Sequence, residues 1–198
     1  MTNPHTPQLT IAPAQVKHTA GPTRKEIGMP GALKQNRTAR CSCGNVEIET
    51  TGAPILGATC YCVDCQEAGR QIELLRSAPP VLDPNGGTDF LLYQKNRLKC
   101  IKGADLLLDH KLKEGSVTRR VVARCCNSAM FLDFQKGHWF SVYRARFAGD
   151  VPPLQMRVQT KSRPRTVGDP SDIPSYAGYP PKFMLKLVAA KIAMLLGL

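Results

Sequence analysis

Cys41-Ser42-Cys43-Gly44 and, sixteen residues on, Cys60-Tyr61-Cys62-Val63-Asp64-Cys65 hold five of the chain's eight cysteines. Side chains two apart on an extended strand share one side, and a tight turn brings a sulfur three residues away beside them. Both spacings can aim sulfurs at one point, as a tetrahedral zinc with Zn–S near ~2.3 Å requires. The other cysteines are Cys100 and the adjacent pair Cys125 and Cys126. Small buried hydrophobes do not explain such spacing. A disulfide framework suits short secreted chains, whereas Met1 to Ala20 is polar and proline-bearing, without the apolar core of a signal peptide. Iron–sulfur proteins favour C-x2-C runs over C-x-C-x2-C. The cysteines predict a zinc protein with sulfur ligands, and a cytoplasmic one.

At 198 residues the chain suits one domain with extensions. Residues 1–37 read as a mobile, proline-rich N-terminal arm, residues 38–143 as the zinc-binding domain, and residues 144–198 as a basic connector followed by a helix. Within the domain, Val46 and Ile48 alternate with Glu47 and Glu49 as in a half-buried strand. Further strands are predicted at Ile55 to Thr59, Asp89 to Gln94, Arg97 to Lys102, Leu106 to Leu112, Val117 to Ala123 and Phe131 to Phe134. Short strands at about ten-residue intervals with turn residues between them predict a mainly β domain. Asp64 to Arg76 reads as a loop or short helix. Lys182 to Leu198 reads as a C-terminal helix with proline in its first turn. It is apolar nearly all round and must bury itself against the domain, a second subunit or a membrane surface, but it is short of the ~20 apolar residues that span a bilayer.

The two cysteine motifs, followed by a cysteine-bearing stretch ahead of a strand, resemble the glutathione-dependent formaldehyde-activating (GFA) family, which includes centromere protein V. The resemblance covers about Thr38 to Tyr143. It implies an Mss4-like, mainly β zinc-binding fold with two zinc ions per chain. In the family the first C-x-C pairs with a late C-x-x-C-G-T motif around a structural zinc. Cys41 and Cys43 match the first half and Cys126 the last ligand, while Ala123 stands where the third ligand is usual. Cys125 is the nearest substitute; a three-cysteine site completed by another group is the alternative. Asn127-Ser128 replaces Gly-Thr. Cys60, Cys62 and Cys65 match the family's open site, and three protein ligands with a free fourth position mark a catalytic zinc. The implied activity is that of a carbon–sulfur lyase, acting on a thiol or thiol adduct such as a glutathione conjugate.

Other residues invite a role. Asp64, inside the trio, is a candidate proton acceptor or a plain turn residue. His138, beside Trp139, is a candidate for completing the open site, and Cys100 reads as an inward strand cysteine. Strand alternation places Arg120 and Arg124 on one face, opposite Arg119, as a solvated basic strand or a carboxylate dock. The net charge of +12 favours an anionic partner. The alternative to an enzyme is therefore a non-catalytic zinc module that binds protein or nucleic acid through its basic surface, although basic residues without interleaved aromatics are a weak nucleic-acid signal. The C-terminal helix is a candidate homo-oligomer contact.

Overall fold

The computed structural model describes residues 35–164 and 172–197. All but the last three residues of the expected N-terminal arm lie outside them. A three-stranded sheet has the order β1 (Arg37–Arg40), β2 (Glu47–Thr50), β5 (Leu98–Lys102). A seven-stranded sheet has the order β10 (Met156–Val158), β3 (Leu56–Cys60), β4 (Thr88–Gln94), β9 (Trp139–Tyr143), β8 (Ser128–Phe134), β7 (Thr118–Ala123), β6 (Leu107–His110). Helix α1 (Val63–Glu73) lies between β3 and β4 in the chain, and α2 (Pro181–Leu195) comes last. All strand pairs are antiparallel except β10 with β3. The mainly β class with a C-terminal helix is the one expected.

The large sheet is covered on both faces, as β4 makes plain: Phe90 and Leu92 point one way, Leu91 and Tyr93 the other, and all four are buried. Leu91 and Tyr93 join Val121 and Val142 in a core with Ala39, Val46 and Ile48 of the small sheet and the turn that feeds it. Phe90 and Leu92 join Ala58, Met156 and Val158, and α2 packs on them through Phe183 and Leu187. A strand buried on both sides reads as a continuous apolar run, and Phe90-Leu91-Leu92-Tyr93 is such a run.

Four elements differ from expectation. Strand β1 was not anticipated, and its first residue, Arg37, belongs to the stretch read as the arm. Residues 63–73 form a full helix, not a loop or short helix. Its buried residues are Cys65, Gln66, Ala68, Gly69 and Ile72, mostly small or polar, so the apolar periodicity is faint. Gly69 permits the close approach, because a Cβ there would overlap the Leu82 side chain. Strand β9, unanticipated, sits between β4 and β8 near the centre of the sheet. Within the stretch read as a connector, Met156–Val158 becomes the edge strand β10, and the nearly buried Arg157 pairs with Asp172 at 2.9 Å.

Helix α2 begins at Pro181, which suits the first turn. Phe183 and Leu187, one turn apart, are its buried residues, while Leu185, Val188, Ile192 and Leu195 are exposed. Gln94 Nε2 donates to the Ala190 carbonyl at 2.7 Å and Lys186 Nζ to Gln155 Oε1 at 2.6 Å, which fixes the helix on the sheet. Among the described residues no helix is long and apolar enough to cross a membrane.

Two candidate metal centres

Cys41, at the end of β1, and Cys43 lie on a tight turn. The Gly44 N–H donates to the Cys41 carbonyl at 3.0 Å, and Gly44 has φ of +74°, a left-handed backbone that favours glycine. The turn after β7 brings Cys125 and Cys126 to the same place. The four sulfurs lie within 4.8 Å of one another. Cys41–Cys43, Cys41–Cys125, Cys43–Cys125 and Cys125–Cys126 are 3.5, 3.8, 3.3 and 3.9 Å apart. These are far beyond a disulfide bond of ~2.05 Å. A tetrahedron with Zn–S of ~2.3 Å has edges of about 3.8 Å, so the donor set and its spacing fit a closed tetrathiolate shell. Cys125 supplies the sulfur that Ala123 cannot, and the buried Ala123 belongs to the core.

The replacements after Cys126 also find a physical account. Asn127 adopts φ of +53°, and asparagine tolerates the left-handed region better than most residues. The Ser128 hydroxyl lies 3.1 Å from Cys126 Sγ and accepts from the Ser42 N–H at 2.9 Å and Arg146 Nη1 at 3.2 Å. Burial alone would raise the Cys126 thiol. Hydrogen bonds with the Ser128 and Ser42 hydroxyls and with the Cys43 and Ser128 N–H groups outweigh it and hold the group at about 5. Burial, then contacts with Cys43, Cys41 and Cys126, push Cys125 up. The Val46 N–H donates to Cys41 Sγ at 3.2 Å.

The second group gathers at the other face of the large sheet. Cys60 ends β3, Cys62 caps α1, and Cys65 lies in the first turn of α1. Their sulfurs are within 4.8 Å of one another, and no fourth histidine, cysteine or carboxylate joins them among the described residues. The Cys65 N–H donates to Cys62 Sγ at 3.3 Å. Cys62 is lowered to about 3, first by hydrogen bonds from the Cys60 and Cys65 thiols, then by the Cys65 N–H and the charge of Arg120. The Cys62 contact and burial push Cys60 up to about 11, and contacts with Cys60 and Cys62 push Cys65 up as well. One sulfur is thus a thiolate at a helix N-terminus, where negative charge is favoured, and two thiols donate to it. Three soft donors so placed suit zinc.

This trio borders a cavity of about 390 Å³ between the large sheet and α2. Alternate residues of β4, β9 and β8 (Phe90, Leu92, Trp139, Ser141, Leu132, Phe134) form its floor, and Phe183 and Leu187 of α2 its roof. Tyr179, just before α2, was not anticipated from sequence. It is half exposed, and its phenol contacts Cys60. Burial, then repulsion from the Cys60, Cys62 and Cys65 sulfurs as they ionise and the Cys60 contact, push it up, so it stays protonated. Arg120 also borders the cavity and is 2% exposed. Its Nη2 donates to the Asp64 carbonyl at 2.9 Å.

The remaining candidates separate. Asp64 is exposed in the first turn of α1, at the cavity edge. His138 joins neither cysteine group and packs edge-on against Trp139, 5.0 Å between ring centres. Cys100 is half-buried at the margin of the second core, and its Sγ contacts the Lys102 carbonyl at 3.3 Å. Arg119 pairs with Asp109 at 2.9 Å and Asp133 at 3.0 Å on the opposite face from Arg120, as alternation requires. Arg124 does not share the face of Arg120: β7 ends at Ala123 and Arg124 is exposed in the turn.

A mainly β chain with one four-cysteine and one three-cysteine group, both suited to a metal, defines a class. Residues 36–75 match the family described as Glutathione-dependent formaldehyde-activating enzyme, which bears out the resemblance read from the cysteine motifs. No curated protein matches the chain. Among solved structures the chain is similar to a Rhodobacter sphaeroides protein determined as a structural genomics target, at 18% identity and a TM-score of 0.42, over 58% of this chain and 91% of that one.

Proposed function

We propose that the protein binds two zinc ions, a structural one at Cys41, Cys43, Cys125 and Cys126 and a catalytic one at Cys60, Cys62 and Cys65, and that it makes or breaks a carbon–sulfur bond in a thiol adduct. The observation that carries this reading is the asymmetry of the two groups. Four sulfurs close a shell away from the large cavity, whereas three sulfurs with no fourth ligand among the described residues open onto it. When bound at the trio, zinc would supply a Lewis acid that keeps a substrate thiol deprotonated.

The chain's own residues would do the rest. Phe90, Trp139 and Phe183 exclude water from the reacting atoms. The protonated Tyr179 phenol donates a hydrogen bond to the adduct's oxygen, and the positive charge of Arg120 offsets that of the thiolates. In the cleaving direction the adduct hydroxyl passes its proton to the Asp64 carboxylate at the cavity edge, and its oxygen forms the carbonyl as the carbon–sulfur electron pair leaves with sulfur as thiolate. Bond formation is the reverse, with the carbonyl oxygen gaining a proton. The name of the matching family supports a thiol and an aldehyde as the two halves.

Metal analysis of purified protein is expected to give two zinc equivalents. The cobalt-substituted protein is expected to change its visible absorption on addition of a thiol, and Cys62→Ser to abolish that change. A spectrum indifferent to every thiol would sink the enzyme reading.

A further inference from the structure

Arg120 is a buried cation without a carboxylate. It is 2% exposed, makes one hydrogen bond, to the Asp64 carbonyl, and its Nε is buried with no hydrogen-bond partner. No ion pair includes it among the described residues, and none of the three sulfurs accepts a hydrogen bond from it. A guanidinium held out of water in this way is costly unless an anion completes it. It borders the cavity, whose other charged groups are the Cys62 thiolate, which accepts no hydrogen bond from it, and the exposed Asp64, whose carboxylate pairs with no cation among the described residues. The rest of the wall is aromatic, aliphatic, hydroxyl or thiol, and a volume of about 390 Å³ falls in the ~300–1,000 Å³ range of small-molecule pockets.

We propose that the cavity takes a largely apolar molecule of aromatic size bearing a single carboxylate, which pairs with Arg120 while the apolar part lies between Trp139 and Phe183. The Asp64 carbonyl to which Arg120 is tied lies between Cys62 and Cys65, so the carboxylate stands beside the sulfur site. This deepens the thiol-adduct reading by naming its substrate class, and rests on that reading only for where sulfur is held. It also argues against glutathione. That molecule brings two carboxylates and an ammonium group, and one cation in an apolar pocket leaves a second carboxylate desolvated and unpaired.

Trp139 is the single tryptophan of the chain and borders the cavity, so its fluorescence reports occupancy. The zinc-loaded full chain is titrated with 3-phenylpropionate, the uncharged 3-phenylpropanamide and glutathione. The acid is expected to bind about tenfold more tightly than the amide, the difference between a charge-assisted and a neutral hydrogen bond, and more tightly than glutathione. Arg120→Gln is expected to erase the preference for acid over amide while amide binding persists. Should that variant not fold, the comparison of acid with amide is made on Cys62→Ser, whose open site offers the acid no zinc, and the same preference is expected there. Equal affinity for acid and amide, or tighter binding of glutathione, overturns the proposal. Acid-selective binding together with a cobalt spectrum that ignores thiols would refute the lyase reading and support the carboxylate pocket.

Discussion

Replacing Cys125 with serine tests whether this cysteine fills the third-ligand place. Its sulfur lies 3.3, 3.8 and 3.9 Å from those of Cys43, Cys41 and Cys126, a vertex common to three measured edges. A serine oxygen is smaller, and at neutral pH it remains a neutral hydroxyl, so it offers zinc neither the thiolate's charge nor its softness. Structural zinc contributes about 10–16 kcal/mol of apparent binding in small zinc folds, or about 2.5–4 kcal/mol for each of four equal ligands. The affinity of this site is therefore expected to fall roughly 10²- to 10³-fold. At saturating zinc the same loss appears as a fall in Tm of about 5–16 °C for a chain of this size. Competition with a chromophoric chelator measures the first quantity and thermal unfolding at fixed free zinc the second. Cys126→Ser is expected to match Cys125→Ser within a factor of a few. If Cys125→Ser keeps both the affinity and the Tm of the unaltered protein, the fourth ligand lies elsewhere and the tetrahedral argument fails.

Two further outcomes follow from the trio. In the metal-free protein Cys62 is held at about 3 by its Cys60 and Cys65 donors. Its folded pKa thus lies below the unfolded one, and it contributes stability that is fully present above ~8.5 and lost as pH falls towards ~3. At pH 6, iodoacetamide should modify Cys62 well ahead of Cys60 and Cys65, and equal labelling of the three by peptide mapping would contradict the hydrogen-bonded arrangement. Tyr179→Phe removes the phenol while keeping the ring against Phe183. It should lower turnover of a thiol adduct by about 10-fold or more, with thiol-induced cobalt spectra unchanged; unaltered turnover would remove Tyr179 from the mechanism.

Local features were the legible ones. C-x-C and C-x2-C place sulfurs within one turn of chain, so the trio and the Cys41–Cys43 half of the other group could be anticipated from spacing, while Cys125 and Cys126 joined that group only through the family resemblance; the alternation of Val46 and Ile48 with glutamates marked its strand. Helix α1 was obscured because Ala68 and Gly69 bury little apolar area, although they allow close packing. The alternation that paired Arg120 with Arg124 could not foresee that the strand stops at Ala123. No short-range pattern could tell that Tyr179 would reach Cys60, or that Phe183 would roof the cavity: those contacts depend on where α2 docks on a sheet assembled from distant strands.

The roof comes from the last helix, and this sets an order of assembly during synthesis. Phe183 is 118 residues beyond Cys65, which at ~5–20 residues per second is a delay of roughly 6–24 s. The three sulfurs of the trio emerge together, Cys125 and Cys126 follow, and the helix that covers the cavity arrives after both. An ion can therefore reach the trio from open solvent on the nascent chain, before the aromatic walls close around it.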